Sequence, residues 1–342
     1  MSNPQSITKA IDRNSLDLVD SIFRLSWLLP RALYKNKLTI LMYHGVLRQA
    51  LSVPDYCFIT ESDFREQMEY LAKNCRVVAL PEALHELKSG TIDYPTVSIT
   101  FDDGYQNVFD VAFPVLREFH FPATVFVNTS FVGTPNTIWF CRLIQAISNT
   151  LRPTLEWRDF KFDLSTAYAK AVTSKRLQSH LKKLEHCDLL DQLEAIINQL
   201  NVDNGFLDSS MDFRILDQEA ITAMINSGLI QFGAHTASHS ILTRIPLEAA
   251  RDEIEKSVQS ISDLTGQPCR LFAYPNGGPT DYDYKILTIL KDFGIVAAVT
   301  TIQGPNTAHT PMLELRRYGV HPRLTKTAFR CKVHHLLSSS NA

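Results

Sequence analysis

From Lys37 to about Val320, short apolar runs alternate with stretches in which apolar side chains recur every three or four positions. KLTILMYH (37–44), RVVAL (76–80), PTVSITF (95–101), PATVFVN (122–128), LIQFGAH (229–235), RLFAYP (270–275), IVAAVTT (295–301) and LELRRYGV (313–320) read as strands. Most are rich in apolar and β-branched residues and are bounded by turn formers. Between them, TESDFREQMEYLAKN (60–74), PEALHELKSG (81–90), residues 107–119, PLEAARDEIEKSVQSISDLTG (246–266) and YDYKILTILKDFG (282–294) carry helical spacing. Roughly eight strands, mostly separated by helices, predict a parallel sheet, and the count suits a closed barrel better than an open sheet. The expected fold is therefore α/β: a distorted (β/α) barrel of about seven to eight mostly parallel strands.

Residues 137–227 break this rhythm. Helical stretches at 139–150, 165–199 and 217–228, with a polar patch at 201–210, predict a helical insertion in a barrel loop. The chain thus divides into an N-terminal helical segment (1–36), a barrel domain (37–330) carrying the insertion, and a tail (331–342).

Composition narrows the function more than the fold. A chain of 342 residues with 45% hydrophobic content buries a full core. With 34 Lys+Arg against 36 Asp+Glu, it lacks the basic excess that nucleic-acid binding needs, so no nucleic-acid partner is expected. The six cysteines (Cys57, Cys75, Cys141, Cys187, Cys269, Cys331) form no CxxC pair, which speaks against a zinc ribbon or a disulfide framework. The opening MSNPQSITKAIDRNSLDLVD has neither the basic start nor the apolar centre of a signal peptide, so a cytoplasmic location is expected. SIFRLSWLLPRALY (21–34) is too short to span a bilayer; it suits a packing helix or a weak contact with the inner membrane face.

Chemistry belongs at the C-terminal ends of the strands, where a barrel gathers its loops. SITFDDGYQN (98–107) places Asp102 and Asp103 where a strand stops, and Gly104 lets the backbone turn both toward one pocket. Two adjacent carboxylates repel unless a cation or a proton lies between them. GAHTASHS (233–240) places His235 and His239 four residues apart at a second strand end. Two neutral imidazoles and a carboxylate make a divalent-metal site with open positions, a set that also serves non-haem iron oxygenases. FAYPNGG (272–278) supplies proline and glycines for close backbone approach at a third strand end, and LMYHGV (41–46) places His44 in the same layer.

TFDDGY (100–105), HTASH (235–239) and FAYPNG (272–277), in this order, resemble the three motifs of the polysaccharide deacetylase superfamily, the fourth carbohydrate esterase family. The YHGV stretch at 43–46 is similar to that of its branch with an N-terminal YHxV histidine. The resemblance covers about residues 37–322 and implies removal of N-acetyl groups from N-acetylhexosamine units, in a sugar polymer or a lipid-linked sugar. It implies Asp102 as general base, and Asp103, His235 and His239 as ligands of a divalent metal, zinc first, with cobalt or nickel as alternatives. By the same likeness His44 is the proton donor, and Tyr105, Tyr274, Pro275 and Asn276 contact substrate, the Asn276 backbone N–H facing the oxyanion.

One departure stands out: the arginine that steadies the base in the third motif is replaced by Ala273. Arg316 or Arg317 can supply that charge from the last strand end, with Arg270 a further candidate. His309 and His321 are read as structural or solvated, and Trp139 and Trp157 as core residues or sugar-stacking platforms. A deformylase-type amide hydrolase and a non-catalytic carbohydrate-binding barrel are the alternatives.

Overall fold

A computed structural model describes residues 34–202 and 211–336. β1 (Leu38–Tyr43) leads through β2 (Gly45–Leu47) and β3 (Phe58–Thr60), which pair with each other, into α1 (Glu61–Asn74). β4 (Arg76–Val77), α2 (Leu80–Ser89), β5 (Thr96–Phe101), a π-helical turn (Val108–Ala112), α3 (Phe113–Phe119) and β6 (Ala123–Val127) follow. Next come α4 (Trp139–Asn149), the antiparallel hairpin of β7 (Thr154–Trp157) and β8 (Phe160–Asp163), α5 (Ala167–Leu181), α6 (His186–Leu200) and α7 (Gln218–Asn226). The βα order then resumes with β9 (Ile230–Ala234), α8 (Leu247–Thr265), β10 (Leu271–Ala273), α9 (Tyr284–Asp292), β11 (Ala297–Val299), β12 (Tyr318–Gly319) and α10 (Lys326–Val333).

The local reasons are ordinary ones. α1 starts where the Thr60 hydroxyl accepts from Asp63 N, and it buries Phe64, Met68 and Leu71 along one stripe. All residues of β5 and β6 are buried, as strands covered on both faces must be.

The main sheet runs in the order β11-β10-β9-β6-β5-β1-β12, parallel throughout, with β4 beside β5. Its two ends are joined by one segment. Leu315 N donates to Ala298 O (3.0 Å) and Thr300 N to Leu315 O (2.8 Å), while Tyr318 and Gly319 pair with Leu41 and Met42. The run expected as one strand over 313–320 is thus split between β11 and β1, and by this split it closes a distorted (β/α) barrel.

Three details differ from the sequence reading. Residues 137–227 are not purely helical: Leu155 and Trp157 point inward between exposed Thr154 and Glu156, the period-2 pattern of a half-buried hairpin. The stretch 165–199 is two helices, α5 and α6. The tail boundary at 331 cuts α10, which packs Phe329, Lys332 and Val333 inward. The segment 21–33 and the patch 203–210 lie outside the described residues. Among the described residues no helix is long and apolar enough to cross a membrane.

Candidate active site

Six strands deliver seven side chains to the same end of the barrel. His44 follows β1, Asp102 and Asp103 follow β5, Asn128 follows β6, His235 follows β9, Asn276 lies three residues past β10, and Arg317 immediately precedes β12. Asp102 and Asp103, next to each other in the chain, reach different partners because Asp103 and Gly104 turn the backbone into the left-handed region, at φ 73° and 74°.

Asp102 is 2% exposed and Arg317 is fully buried. The guanidinium grips the carboxylate with both arms, Nη1 donating to Oδ1 at 2.6 Å and Nη2 to Oδ2 at 2.7 Å. Arg317 is itself fixed by donating Nε–H to Thr300 O (2.8 Å) and Nη1–H to Thr100 Oγ1 (3.2 Å). Burial alone would raise the Asp102 carboxyl, but the charge and hydrogen bonds of Arg317 outweigh it and hold the group below the usual carboxylate range. Of the two arginines expected as alternatives, Arg317 is the one that pairs with Asp102. Arg316 is exposed, and its backbone bonds Asn306 through both N–H and C=O. Arg270 lies outside the site, with Nη1 donating to Gly294 O.

Asp103 faces the two histidines. Its Oδ1 is 3.4 Å from Nε2 of His235 and 3.4 Å from Nε2 of His239. Burial opposes ionisation here too, yet His235, His239 and His44 together hold the Asp103 carboxyl well below its ordinary value. His235 presents Nε2 because its Nδ1 lies 2.7 Å from Ala273 O, the pairing that fixes ring and tautomer in metal-binding histidines. His239 is buried against Phe140, and burial pushes its imidazole down to about 3, favouring the neutral, ligating form.

The donor set fits a divalent ion. Ligand atoms of Asp103, His235 and His239 all lie within 4.8 Å of one another. Both Asp103 oxygens are buried and neither has a hydrogen-bond donor in good geometry, a costly state for a lone carboxylate and the ordinary one for a metal ligand.

Backbone strain collects in the same loops. Asp103, Thr236 (φ 62°), His239 (φ 61°) and Asn276 (φ 63°) all adopt left-handed conformations, and for a β-branched threonine this is a genuine outlier. The strain is held by residues that the motifs do not reveal. Glu253 of α8 accepts from the N–H groups of Ala237 and Ser238, both at 2.9 Å, and from the Ser238 hydroxyl at 2.8 Å. Asn128 donates its side-chain N–H to His235 O. Asp281 accepts from Asn276 Nδ2 (2.6 Å) and Gly278 N (2.8 Å), locking the third turn. The sequence carries a faint sign of Glu253, a carboxylate set among the buried Ala250, Ile254 and Ser257 of one helical stripe.

Several expected substrate contacts are corrected. Tyr105 is fully buried with its hydroxyl 3.1 Å from Cys141 Sγ, and Tyr274 is fully buried with its hydroxyl donating to Leu313 O. Pro275 is buried as well, and the Asn276 side chain is committed to Asp281, which leaves its backbone as the group available to a ligand. Trp139 and Trp157 are core residues rather than stacking platforms; the Trp157 indole donates to Gln192. His309 is exposed and His321 half-buried. The six cysteines are free thiols.

Residues 89–298, more than half of the chain, match the family model of polysaccharide deacetylases. Over 115 residues the chain is 30% identical to a poly-beta-1,6-N-acetyl-D-glucosamine N-deacetylase of Staphylococcus epidermidis, a match covering 30% of this chain and 39% of the relative. Over 79 residues it is 32% identical to the protein of the same name from Staphylococcus aureus, covering 23% and 27%. The chain therefore spans well under half the length of these curated relatives. Its fold is shared with the Streptococcus pyogenes deacetylase PplD in complex with acetate, at TM-score 0.58 and 17% identity over 87% of this chain and 98% of that one. It is shared also with IcaB from Ammonifex degensii, at TM-score 0.54 and 21% identity over 87% and 96%. With its three motifs on one rim of the barrel and the family model matched across them, this chain belongs to the polysaccharide deacetylase family.

Proposed function

We propose that this protein is a metal-dependent hydrolase that removes N-acetyl groups from N-acetylhexosamine units of a sugar polymer, releasing acetate. The observation that carries this reading is a buried carboxylate clamped by Arg317, adjacent in sequence to a second carboxylate that faces two imidazoles and has no donor of its own. The family match and the names of the curated relatives supply the substrate class.

Asp103, His235 Nε2 and His239 Nε2 would hold the ion, zinc being the first expectation for such a set. Once bound, a divalent ion supplies a Lewis acid and lowers the pKa of a coordinated water. Asp102 accepts the proton of the water that attacks the acetamide carbonyl; Arg317 keeps that carboxylate ionised and aimed. The carbonyl oxygen gathers negative charge as the C–O bond forms, and the Asn276 backbone N–H is the donor placed at the motif turn to meet it. When the C–N bond breaks, the leaving amine needs a proton. His44, half-exposed at the end of β1 with its Nδ1 unpartnered, donates it.

The alternative of a non-catalytic barrel rested on the arginine missing at Ala273; the pairing of Arg317 with Asp102 supplies a charge of that kind and supports the hydrolase. The test is direct. Protein stripped by chelator and reloaded with zinc, cobalt or nickel is incubated with β-linked N-acetylglucosamine oligomers and with a lipid-linked N-acetylhexosamine, and acetate is assayed. Reloaded enzyme releases acetate and stripped enzyme does not; Asp102→Asn binds the metal but loses about a thousandfold or more in kcat. Formate from an N-formyl analogue with no acetate would assign the site to deformylation, and metal binding without turnover of any substrate would refute the hydrolase.

A further inference from the structure

Tyr56 stands apart from the other aromatic side chains around the site. Tyr43, Tyr105 and Tyr274 are buried, whereas Tyr56 is 49% exposed. Asp55 Oδ1 accepts from Cys57 N (2.9 Å), an Asx-type turn that pushes the intervening Tyr56 outward. Cys57 O in turn accepts from Gly45 N (3.0 Å), which ties this turn to the residue after His44. The Tyr56 ring therefore stands 6.3 Å from the His44 ring, at 80° to it.

The insertion reaches the same point. Gln178 of α5 donates to Asp55 Oδ2 (3.2 Å), and Lys182, one turn later, places its ammonium 3.3 Å from the Tyr56 hydroxyl and 5.7 Å from the ring centre. Lys182 is half-buried, yet it forms no ion pair with a carboxylate among the described residues. An exposed aromatic ring and an ammonium with no carboxylate partner among the described residues thus stand together beside His44, brought there by the insertion.

We propose that Tyr56 and Lys182 form a substrate subsite beside the reacting acetamide: the Tyr56 ring stacks on a pyranose, and the Lys182 ammonium binds a carboxylate or phosphate on the same or the neighbouring sugar. The preferred polymer is then an acidic N-acetylhexosamine glycan. This rests on the deacetylase reading above and adds a charge preference to it. A half-buried ammonium gains from an anionic partner what it lacks among the described residues, and a sugar's apolar face suits an exposed aromatic ring.

The test compares three oligomers of equal length on the metal-loaded full chain: neutral N-acetylglucosamine, one carrying a uronic acid, and one carrying a phosphodiester. Wild type favours one or both acidic oligomers by about tenfold in kcat/KM at low salt, and added salt erodes the preference. The oligomer that gains identifies which anion is read. Lys182→Ala brings acidic and neutral substrates to the same level through KM, moving the neutral one by less than about twofold, while Lys182→Arg keeps the preference. Tyr56→Ala weakens all three by about tenfold, and Tyr56→Phe retains the stacking. Equal use of all three by wild type, or an equal loss on all three in Lys182→Ala, overturns the proposal. Calorimetric binding to Asp102→Asn reads the subsite without turnover. Affinity for acidic oligomers that ignores Lys182→Ala sinks the subsite even if acetate is released; Lys182-dependent binding without any acetate release sinks the deacetylase reading and leaves the subsite standing.

Discussion

Arg317→Met leaves the alkyl stem in place and removes the guanidinium, so the core keeps its volume while the Asp102 carboxylate loses its partner. Two charge-assisted bonds, at 2.6 and 2.7 Å, go with it, together with the bonds to Thr300 O and Thr100 Oγ1. Because Arg317 is fully buried and Asp102 nearly so, water does not replace what is lost. Stranding one member of a buried ion pair costs about 3–5 kcal/mol. The unpaired Thr300 carbonyl adds to this, since an unsatisfied buried polar group costs roughly 1–3 kcal/mol. A loss of about 4 kcal/mol is a large share of a typical domain stability of about 5–15 kcal/mol. The pair itself is a weaker asset than this number suggests, because both ions are desolvated on folding.

The assay that separates these two quantities is a double-mutant cycle by urea unfolding of chelator-treated protein, so that metal binding does not enter the balance. Arg317→Met alone loses about 3–5 kcal/mol, and Asp102→Asn alone loses a similar amount by stranding the guanidinium. The double variant loses clearly less than the sum, with a coupling of about 2 kcal/mol or more, since neither charge is then left alone. In the metal-loaded enzyme Arg317→Met retains the ion and loses kcat. Additive losses, or an Arg317→Met penalty below about 1 kcal/mol, would refute the claim that this arginine holds the Asp102 carboxylate.

Three further outcomes follow from the same geometry. Glu253→Ala frees the Ala237 and Ser238 N–H groups and the Ser238 hydroxyl, and the resulting slack in the loop weakens metal affinity by about 10–100-fold in competition with a chromophoric chelator; unchanged affinity contradicts it. Gly104→Ala puts a Cβ 2.9 Å from Val127 Cγ1 at a residue with φ 74°, so it costs about 2 kcal/mol or more in urea unfolding and lowers kcat, and a neutral substitution would show that the turn is not constrained as described. His334 is fully buried against Tyr34 and Tyr70, and burial pushes its imidazole from 6.5 down to about 4. The unfolded chain therefore binds more protons than the folded one between these values, and stability falls as pH drops from about 6.5 towards 4, by about 2 kcal/mol at pH 5. Urea midpoints at pH 7 and pH 5 should differ less in His334→Asn than in wild type; equal pH dependence in both would count against it.

What the sequence disclosed about the site is the part written in residue types that turns demand. Aspartate, asparagine and glycine at strand ends tolerate left-handed backbone, and there the motif residues stand. β6 and β9 were legible as nearly uninterrupted apolar runs, the mark of strands covered on both sides, whereas β5 (TVSITF) alternates hydroxyl and apolar side chains and was legible by its β-branched content and the turn formers around it. Arg316 and Arg317 show where this information stops. Neighbouring residues of an extended segment point to opposite faces, so choosing between them requires the register, and the register is set by Leu315 on β11 and Tyr318 on β1. The tyrosines failed for the same reason in reverse: Tyr105 and Tyr274 adjoin motif residues, and adjacency in an extended chain places a side chain away from its neighbour's pocket as often as toward it. Hairpin β7–β8 did carry the alternation of a strand pair, which a reading in helical terms passed over.

The closing segment also ties stability to chemistry. Leu315 must stay paired with β11 and Tyr318 with β1 for Arg317 to arrive between Thr300 and Asp102, so the contact that closes the barrel is the contact that aims the Asp102 carboxylate. In most barrel enzymes a catalytic loop can vary while the sheet stays fixed, because side chains at strand ends are supported by their own strand. Here the arginine paired with the Asp102 carboxylate is supplied by the residue just before a two-residue strand on the far side of β1. Weakening that short pairing, even at positions that never touch substrate, should therefore lower kcat before it unfolds the protein, because Arg317 leaves Asp102 as soon as the seam between β11 and β1 opens.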